Sequence, residues 1–365
     1  MKLDELFPAA ALGRALADGY VRRQLHPTLP LAILNYTAKA AYTGAWDEVT
    51  LTCRGLVVDN DTGRVVARPF RKFFNYGQAG APQLDLGCPA TVTDKVDGSL
   101  GISYPTGDGW AVATRGSFAS DQAVHASAVL RSRYAGWSPP PGFTVLFEVV
   151  YPGNRVVCDY GDLDDLVLLG AVEVATGRSY GPAAVPDWPG PVVPVLPYRS
   201  LAQALAAPPR PGAEGLVVHL ATTDQRVKIK QEEYVALHRI VTGLNARAVW
   251  EHISAQTTAE GQGIDHFVES LPDEFHGWVW QVVDALTGQV ERRAAQIARA
   301  YRDLVCDLPE GWTRKDFALA AATDPLRWAL FATLDGKDIR PALWREVKPE
   351  ADWTPSGRSY TEDTA

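Results

Sequence analysis

The sequence predicts an α+β domain built on antiparallel sheets, followed by an all-helical one. Two observations carry that reading. Up to about residue 235, short apolar runs rich in β-branched residues alternate with Gly- and Asp-containing turns, the signature of hairpins. After about Tyr234 the apolar residues fall at helical spacing instead. The division is therefore placed at 1–240 and 241–365.

The elements follow in order. Gly55 to Asp59 and Arg64 to Arg68 read as a hairpin around Asp61-Thr62-Gly63. Gly101 to Tyr104 and Gly109 to Thr114 read as another around Gly107-Asp108-Gly109. Ser120 to Tyr134 is a helix, closed off by Ser138-Pro139-Pro140-Pro141-Gly142. Phe143 to Val150, Leu166 to Val174 and Gly215 to Leu220 are apolar, β-branched runs suited to buried strands. The proline-rich stretches 182–197 and 208–212 read as surface loops within this domain. Helices are expected over 232–240, 245–255, 263–271, 275–306 and 313–347. In the long one, Trp278, Val282, Val283, Ala285, Leu286, Val290, Ile297, Tyr301 and Leu304 form an apolar stripe. The last ten residues or so are polar and expected to fray.

Bulk properties narrow the function. With 46% hydrophobic and 21% charged residues the composition is that of a globular protein, and no apolar run is long enough for a membrane helix. Asp4 and Glu5 stand where a signal peptide would be basic, so a cytoplasmic location with no membrane partner is expected. Cys53, Cys88, Cys158 and Cys306 form no CxxC pair and read as free thiols. A net charge of −8 argues against broad coating of nucleic acid and leaves room for a local basic groove. His125, His219, His238, His252, His266 and His276 lack metal-site spacing and read as surface or satisfied core residues.

The chemistry centres on Lys95-Val96-Asp97-Gly98-Ser99, placed just before the second hairpin. Alone, this is indistinguishable from a surface turn. It is joined, in order, by Phe147-Glu148 at the end of a strand, Glu214-Gly215-Leu216-Val217 at the mouth of another, and Lys228-Ile229-Lys230, whose alternation puts both ammonium groups on one strand face. Each has an ordinary alternative, such as a turn carboxylate or edge-strand lysines. The ordered set is far harder to obtain by accident.

That order, Lys-x-Asp-Gly, Phe-Glu, Glu-Gly-x-Val, Lys-x-Lys, resembles the covalent nucleotidyltransferases: DNA ligases, RNA ligases and mRNA capping enzymes. Cys53-Arg54-Gly55, Arg68-Pro69-Phe70-Arg71-Lys72-Phe73-Phe74-Asn75, Asn154-Arg155-Val156-Val157 and Tyr234-Val235 with Leu237-His238 make it most similar to the tRNA-repair RNA ligase 1 of T-even phages. The resemblance covers about residues 50–240; Val96 replaces an acidic residue of the phage enzyme. It implies a ligase adenylation domain. Such an enzyme uses ATP and Mg²⁺, with Mn²⁺ as a substitute, and seals RNA 5′-phosphate to 3′-hydroxyl ends through lysyl-AMP and RNA-adenylate. Cleaved tRNA is the implied substrate class. Since no Gly-x-x-x-x-Gly-Lys-Ser/Thr loop is present, a separate end-healing kinase and phosphatase is expected as partner.

The residue types suit the reaction. Lys95 must attack as a neutral amine, and nearby cations disfavour its ammonium form. Lys228, Lys230 and a divalent ion supply them, and also hold the triphosphate. By resemblance, Arg54, Lys72, Gly98 and Arg115 belong to the nucleotide site. Glu214 and Glu148 are the implied metal carboxylates, with Glu148 also a candidate for the ribose hydroxyls. Asp97 is a candidate for orienting Lys95 or assisting the 3′-hydroxyl. Phe74 and Tyr36 line the nucleotide pocket or pack in the core. Arg292, Arg293, Arg299 and Arg302 form either an RNA-facing surface of a substrate module or a solvated helix face. Two other readings stand beside RNA ligase. One is a DNA ligase or capping enzyme, disfavoured because helices follow the Lys-x-Lys strand; the other is a non-catalytic RNA-end-binding protein on a ligase scaffold, disfavoured because the ionisable set is complete.

Overall fold

The computed structural model describes residues 1–78, 81–154, 156–232, 234–235, 244–256, 264, 267–268, 271, 273–350 and 353. Arg155, Leu237, His238 and His266 lie outside these residues, as do most of the helices expected over 232–240 and 263–271 and the polar C-terminal end. The chain divides into two compact units, Met1–Thr242 and Gly243–Ala365.

In the first unit the strands, in chain order, are β1 (Val21–Leu25), β2 (Leu31–Tyr36), β3 (Arg54–Asp59), β4 (Val65–Ala67), β5 (Phe74–Asn75), β6 (Ala90–Asp94), β7 (Ser99–Pro105), β8 (Trp110–Ala113), β9 (Phe143–Val150), β10 (Asp165–Glu173), β11 (Ser179–Tyr180), β12 (Gly215–Leu220) and β13 (Gln225–Lys230). They form three sheets, ordered β1-β2-β3-β4, β11-β10-β9-β7-β8 and β5-β13-β12-β6. All pairings are antiparallel except β5 with β13, which is parallel and sets Lys228 opposite Asn75. Both hairpins expected from Asp-Thr-Gly and Gly-Asp-Gly form, as β3–β4 and β7–β8. The helices are α1 (Leu3–Leu6), α2 (Ala9–Ala17), α3 (Ala38–Thr43), α4 (Glu48–Thr52), α5 (Asp121–Arg133) and α6 (Leu201–Leu205). Ser120 caps α5 by accepting from the Ala123 N–H, satisfying one of the helix's orphan donors.

Apolar faces explain the layering. Ile33 and Val57 of the first sheet pack with Ile102, Leu146 and Val172 of the second. Ala126, Val129 and Leu130 of α5 cover its other face against Val112, Val145 and Phe147. Each fully buried aliphatic or aromatic side chain here contributes about 1.5–3 kcal/mol. Gly55 has φ +94°, and a Cβ there would lie 3.2 Å from the Arg115 backbone. Glycine therefore lets β3 approach the segment after β8.

One expectation is corrected. Residues 182–197 are more than a surface loop: the carbonyls of Pro191 and Pro194 accept from the Leu168 and Asp94 N–H groups, and Leu196 N–H donates to Val92 O. The stretch thus runs between β10 and β6, tying the second sheet to the third. Proline cannot donate to a ladder but accepts normally, so its abundance did not preclude strand-like pairing.

The second unit comprises α7 (Ala246–Gln256), α8 (Asp273–Cys306), α9 (Arg314–Ala320), α10 (Arg327–Leu334) and α11 (Arg340–Glu346). On α8 the expected stripe is buried at Trp278, Val282, Val283, Leu286, Val290 and Ile297, whereas Ala285, Tyr301 and Leu304 are half-buried. Trp250 Nε1 donates to the Trp344 carbonyl (2.7 Å), joining α7 to α11. Among the described residues, no helix is long and apolar enough to cross a membrane. Cys53, Cys88 and Cys158 are free and buried; Cys306 is free and exposed.

Candidate active site

Lys95 follows β6 directly, and its N–H donates to the Gly215 carbonyl at the head of β12 (3.0 Å). Just before it, Asp94 takes both arms of Arg210 at 2.8 and 3.0 Å. Just after it, Val96 is buried with Val150, Val167 and Val193. A charged anchor on one side and an apolar plug on the other leave the intervening lysine side chain at the rim. Its Nζ makes an ion pair with Glu214 Oε1, and Lys230 Nζ lies 3.3 Å from the same oxygen. Glu214 is 3% exposed, so one buried carboxylate serves two ammonium groups.

Asp97 turns the other way. Its Oδ2 accepts from the Val157 and Cys158 N–H groups, both at 2.9 Å, and its Oδ1 accepts from the Tyr234 hydroxyl at 2.9 Å. Its own N–H donates to Tyr160 Oη (2.8 Å). Three donors on one buried carboxylate give it an anchoring geometry: it fastens the lysine loop to segment 157–160 and to Tyr234. Lys230 Nζ lies over the Tyr234 ring at 5.4 Å, so the same tyrosine touches both the loop and β13. Gly98 packs so tightly that a Cβ would sit 2.7 Å from Val149 O and 3.0 Å from Glu148 Cγ.

Glu148, on β9, faces Leu100 of β7 across the ladder. Burial pushes its carboxyl up to about 8, with Lys95 and Arg54 opposing and the neighbouring Glu214 and Asp97 reinforcing. These groups therefore share one electrostatic environment. Arg54 donates from Nη1 to Phe70 O (3.3 Å), and its guanidinium lies 5.3 Å from the Phe73 ring centre. Lys228 Nζ meets the same ring at 5.2 Å. Phe73 is thus flanked by two of the expected phosphate-binding cations.

Lys72 is 6% exposed, and its Nζ lies 5.4–5.5 Å from the ring centres of Tyr36, Trp46 and Phe74. Tyr36 and Phe74 are both buried, which satisfies the core-packing alternative while making them walls of this aromatic box. Arg115 Nη1 donates to Tyr36 Oη (3.0 Å).

The structure therefore brings Lys95, Glu214, Lys230, Glu148, Asp97 and Gly98 together. It sets Arg54 and Lys228 on Phe73, and Lys72, Tyr36, Phe74 and Arg115 around one box. Trp46, Phe73 and Tyr160 had no role assigned from sequence. Only Phe73 lies within a motif that could have signalled it; Trp46 and Tyr160 sit in turns without any pattern.

Among the described residues, no group of three or more His, Cys, Asp and Glu is arranged to hold a metal. Glu148 and Glu214 nevertheless fit a hard divalent cation, because Mg²⁺ commonly takes one or two carboxylates and completes its shell with phosphates and water. A half-buried carboxyl raised as far as that of Glu148 is one whose charge a cation would stabilise.

Residues 52–184 match a family model described as RNA ligase. This span includes Arg54, Lys72, Lys95 and Glu148 and ends before Glu214, Lys228 and Lys230. RNA ligase 1 of bacteriophage TS2126 is 33% identical over 121 residues, which are 29% of this chain and 31% of that protein. The chain thus matches about a third of that relative's length. Among solved structures, Naegleria gruberi RNA ligase is similar at 18% identity and a TM-score of 0.33, both as a mutant with ATP and Mn and with PPi. Those alignments cover 42% of this chain and 52% of that one.

Proposed function

We propose that this chain is an ATP-dependent RNA ligase that carries AMP on Lys95. The observation that supports this most is the single buried carboxylate of Glu214 held between Lys95 and Lys230. In the first step Lys95 Nζ attacks the α-phosphorus of ATP. A P–N bond forms, the bond to the β-phosphate breaks, pyrophosphate leaves, and the amine gives up its proton. Lys228, Lys230 and Arg54 would hold the phosphates and the departing charge. Glu148 and Glu214 would hold a divalent cation, which when bound neutralises phosphate charge. In the second step AMP passes to an RNA 5′-phosphate. In the third the RNA 3′-hydroxyl displaces it, and AMP leaves as the phosphodiester forms.

The test is incubation with α-labelled ATP or GTP and Mg²⁺, followed by a denaturing gel. Label from ATP on the intact chain, chased into RNA bearing a 5′-phosphate, is the expected result. Label from GTP alone would favour a capping-type enzyme, and no label would favour an RNA-end-binding protein.

Lys228→Ala and Lys230→Ala should each slow lysine adenylylation on the order of 10²-fold, the cost of removing one preorganised charge from such a site. Single-turnover labelling measures this, and wild-type rates in both variants would contradict the role of β13.

The second unit is proposed as an RNA-substrate module, with cleaved tRNA as substrate and a separate healing enzyme preparing its ends. Of its arginines, Arg293 is half-buried and engages Glu346 (3.7 Å) and Gln296, while Arg292, Arg299 and Arg302 are exposed. Replacing these three by serine should reduce sealing of a broken stem-loop about 10-fold or more and make the remaining activity less sensitive to salt, since each lost phosphate contact takes its share of counterion release with it. Self-labelling should stay unchanged; equal sealing by variant and wild type would remove α8 from RNA binding.

A further inference from the structure

Asp224, which closes the turn between β12 and β13, has φ 55° although it is not glycine. That left-handed backbone is disfavoured for residues with a side chain, and Asp is kept there most readily when its carboxylate is used locally. Here it is used fully. Its Oδ2 accepts from the Ser179 N–H (2.9 Å), and its Oδ1 accepts from the Ser179 hydroxyl and pairs with His219 Nε2 (2.8 Å). Arg226 Nη1 lies 3.6 Å from the same oxygen and also donates to Ser179 Oγ. Ser179 belongs to β11 of the second sheet, whereas His219, Asp224 and Arg226 belong to the hairpin of the third. The cluster is therefore a polar tie between the sheet that carries Glu148 and the sheet that carries the Lys-x-Lys strand.

Arg226 extends the tie toward the nucleotide site. It shares a strand face with Lys228 and Lys230, because β13 side chains alternate. Its guanidinium stacks over Phe70, 3.9 Å from the ring centre, and the Phe70 carbonyl accepts from Arg54. Arg226 is almost wholly buried, and burial lowers its affinity for a proton to a value of about 9 against the pull of Asp224. A buried ion pair is weak evidence for stability, because desolvation offsets its attraction; its best-attested use is to fix one arrangement among several. The cluster contains Ser, His and Asp but is no hydrolytic triad. The histidine reaches Asp224, and the Ser179 hydroxyl is committed to Asp224 and Arg226, so no base is positioned on the serine.

We infer that Ser179, Asp224 and Arg226 form a positioning clamp that sets the attitude of β13, and hence of Lys228 and Lys230, against Lys95 and Glu148. This rests on the proposed transfer of AMP to Lys95. The hairpin is anchored at residues 224–226, and Lys230 lies four residues further on, a lever of about 13 Å at strand rise. A small change of angle at the clamp therefore shifts the ammonium groups, and a 1 Å misplacement near reacting atoms costs on the order of 10²-fold.

Full-length Ser179→Ala, Ser179→Thr and the double variant Asp224→Gly/Arg226→Met are compared with wild type by single-turnover labelling, ATP titration and thermal melting. The glycine suits the left-handed turn, and the methionine removes the buried charge, so the double variant is designed to fold without the clamp. Ser179→Ala and the double variant should label about 10-fold more slowly at saturating ATP. Half-saturation should stay within about twofold and the proteins should be folded at the assay temperature; Ser179→Thr should recover most of the rate. Wild-type rates in both clamp-less proteins would overturn the inference, as would a rate loss that merely tracks the unfolded fraction. If Ser179→Ala fails to fold, the double variant decides. A wild-type chain that takes no AMP would overturn the ligase reading, and this inference with it.

Discussion

Lys95→Ala is expected to abolish covalent AMP attachment while leaving the protein folded. The backbone bond from residue 95 to the Gly215 carbonyl survives the change, and the apolar plug at Val96 is untouched. Glu214 keeps Lys230 as a partner at 3.3 Å, so no buried carboxylate is stranded. What disappears is the nucleophile. Lys95→Arg sharpens the test: it retains a cation for Glu214, but a guanidinium stays protonated and cannot attack phosphorus. Both variants should lack the mass increment of one AMP after incubation with ATP, and both should melt close to wild type. An AMP adduct on the alanine variant would place the nucleophile elsewhere.

Glu214→Ala should have the other large effect, on folding and chemistry together. Its carboxylate is buried between two lysines whose side chains are 18% and 11% exposed. Truncation removes the buried carboxylate that the two ammonium groups share, and breaking a buried pair in this way costs about 3–5 kcal/mol. Labelling should fall at least about 10²-fold at low Mg²⁺ and return in part at high Mg²⁺ or Mn²⁺, as for a carboxylate that holds a cation. Glu214→Gln preserves shape and hydrogen bonding and separates the two contributions: it should lose less stability than alanine and nearly as much activity. Thermal melts and a metal titration of single-turnover labelling read both. An unchanged metal dependence in the two variants would remove Glu214 from cation binding.

The parts of this site that were legible in sequence are those encoded locally. Lys-x-Asp-Gly sits in a strand-to-strand turn, Lys228 and Lys230 are set by strict alternation, and the turns Asp61-Thr62-Gly63 and Gly107-Asp108-Gly109 announced the hairpins. The first sheet was half visible, since β3–β4 has a turn signature, whereas β1 is largely polar and β2 has only the short apolar run Leu31 to Leu34. The functional contacts that escaped are made between segments far apart in the chain. From sequence Asp97 is a candidate for orienting Lys95 or assisting the 3′-hydroxyl, and nothing local shows that its carboxylate meets the Val157 and Cys158 amides and the Tyr234 hydroxyl. Trp46 belongs to no motif, yet supplies a wall of the Lys72 box. Arg226 was foreshadowed by the same alternation as the two lysines, but its partner Ser179 comes from another sheet.

The parallel pairing of β5 with β13 bears on where this chain can change in length. Between Phe70 and Tyr76 every residue is engaged, Arg71 by an exposed ion pair with Glu48 (2.7 Å). Phe70 accepts from Arg54, Lys72 enters its box, Phe73 underlies Lys228, Phe74 and Asn75 join the ladder, and the Tyr76 N–H donates to the Lys228 carbonyl at 2.8 Å. Inserting a single residue would turn alternate side chains over and exchange box for solvent. At Gly63 and Gly107, by contrast, a side chain would meet open space. Related chains should therefore vary in length at these hairpin tips and hold the 70–76 segment at constant length, so an alignment that opens a gap there has misplaced the site.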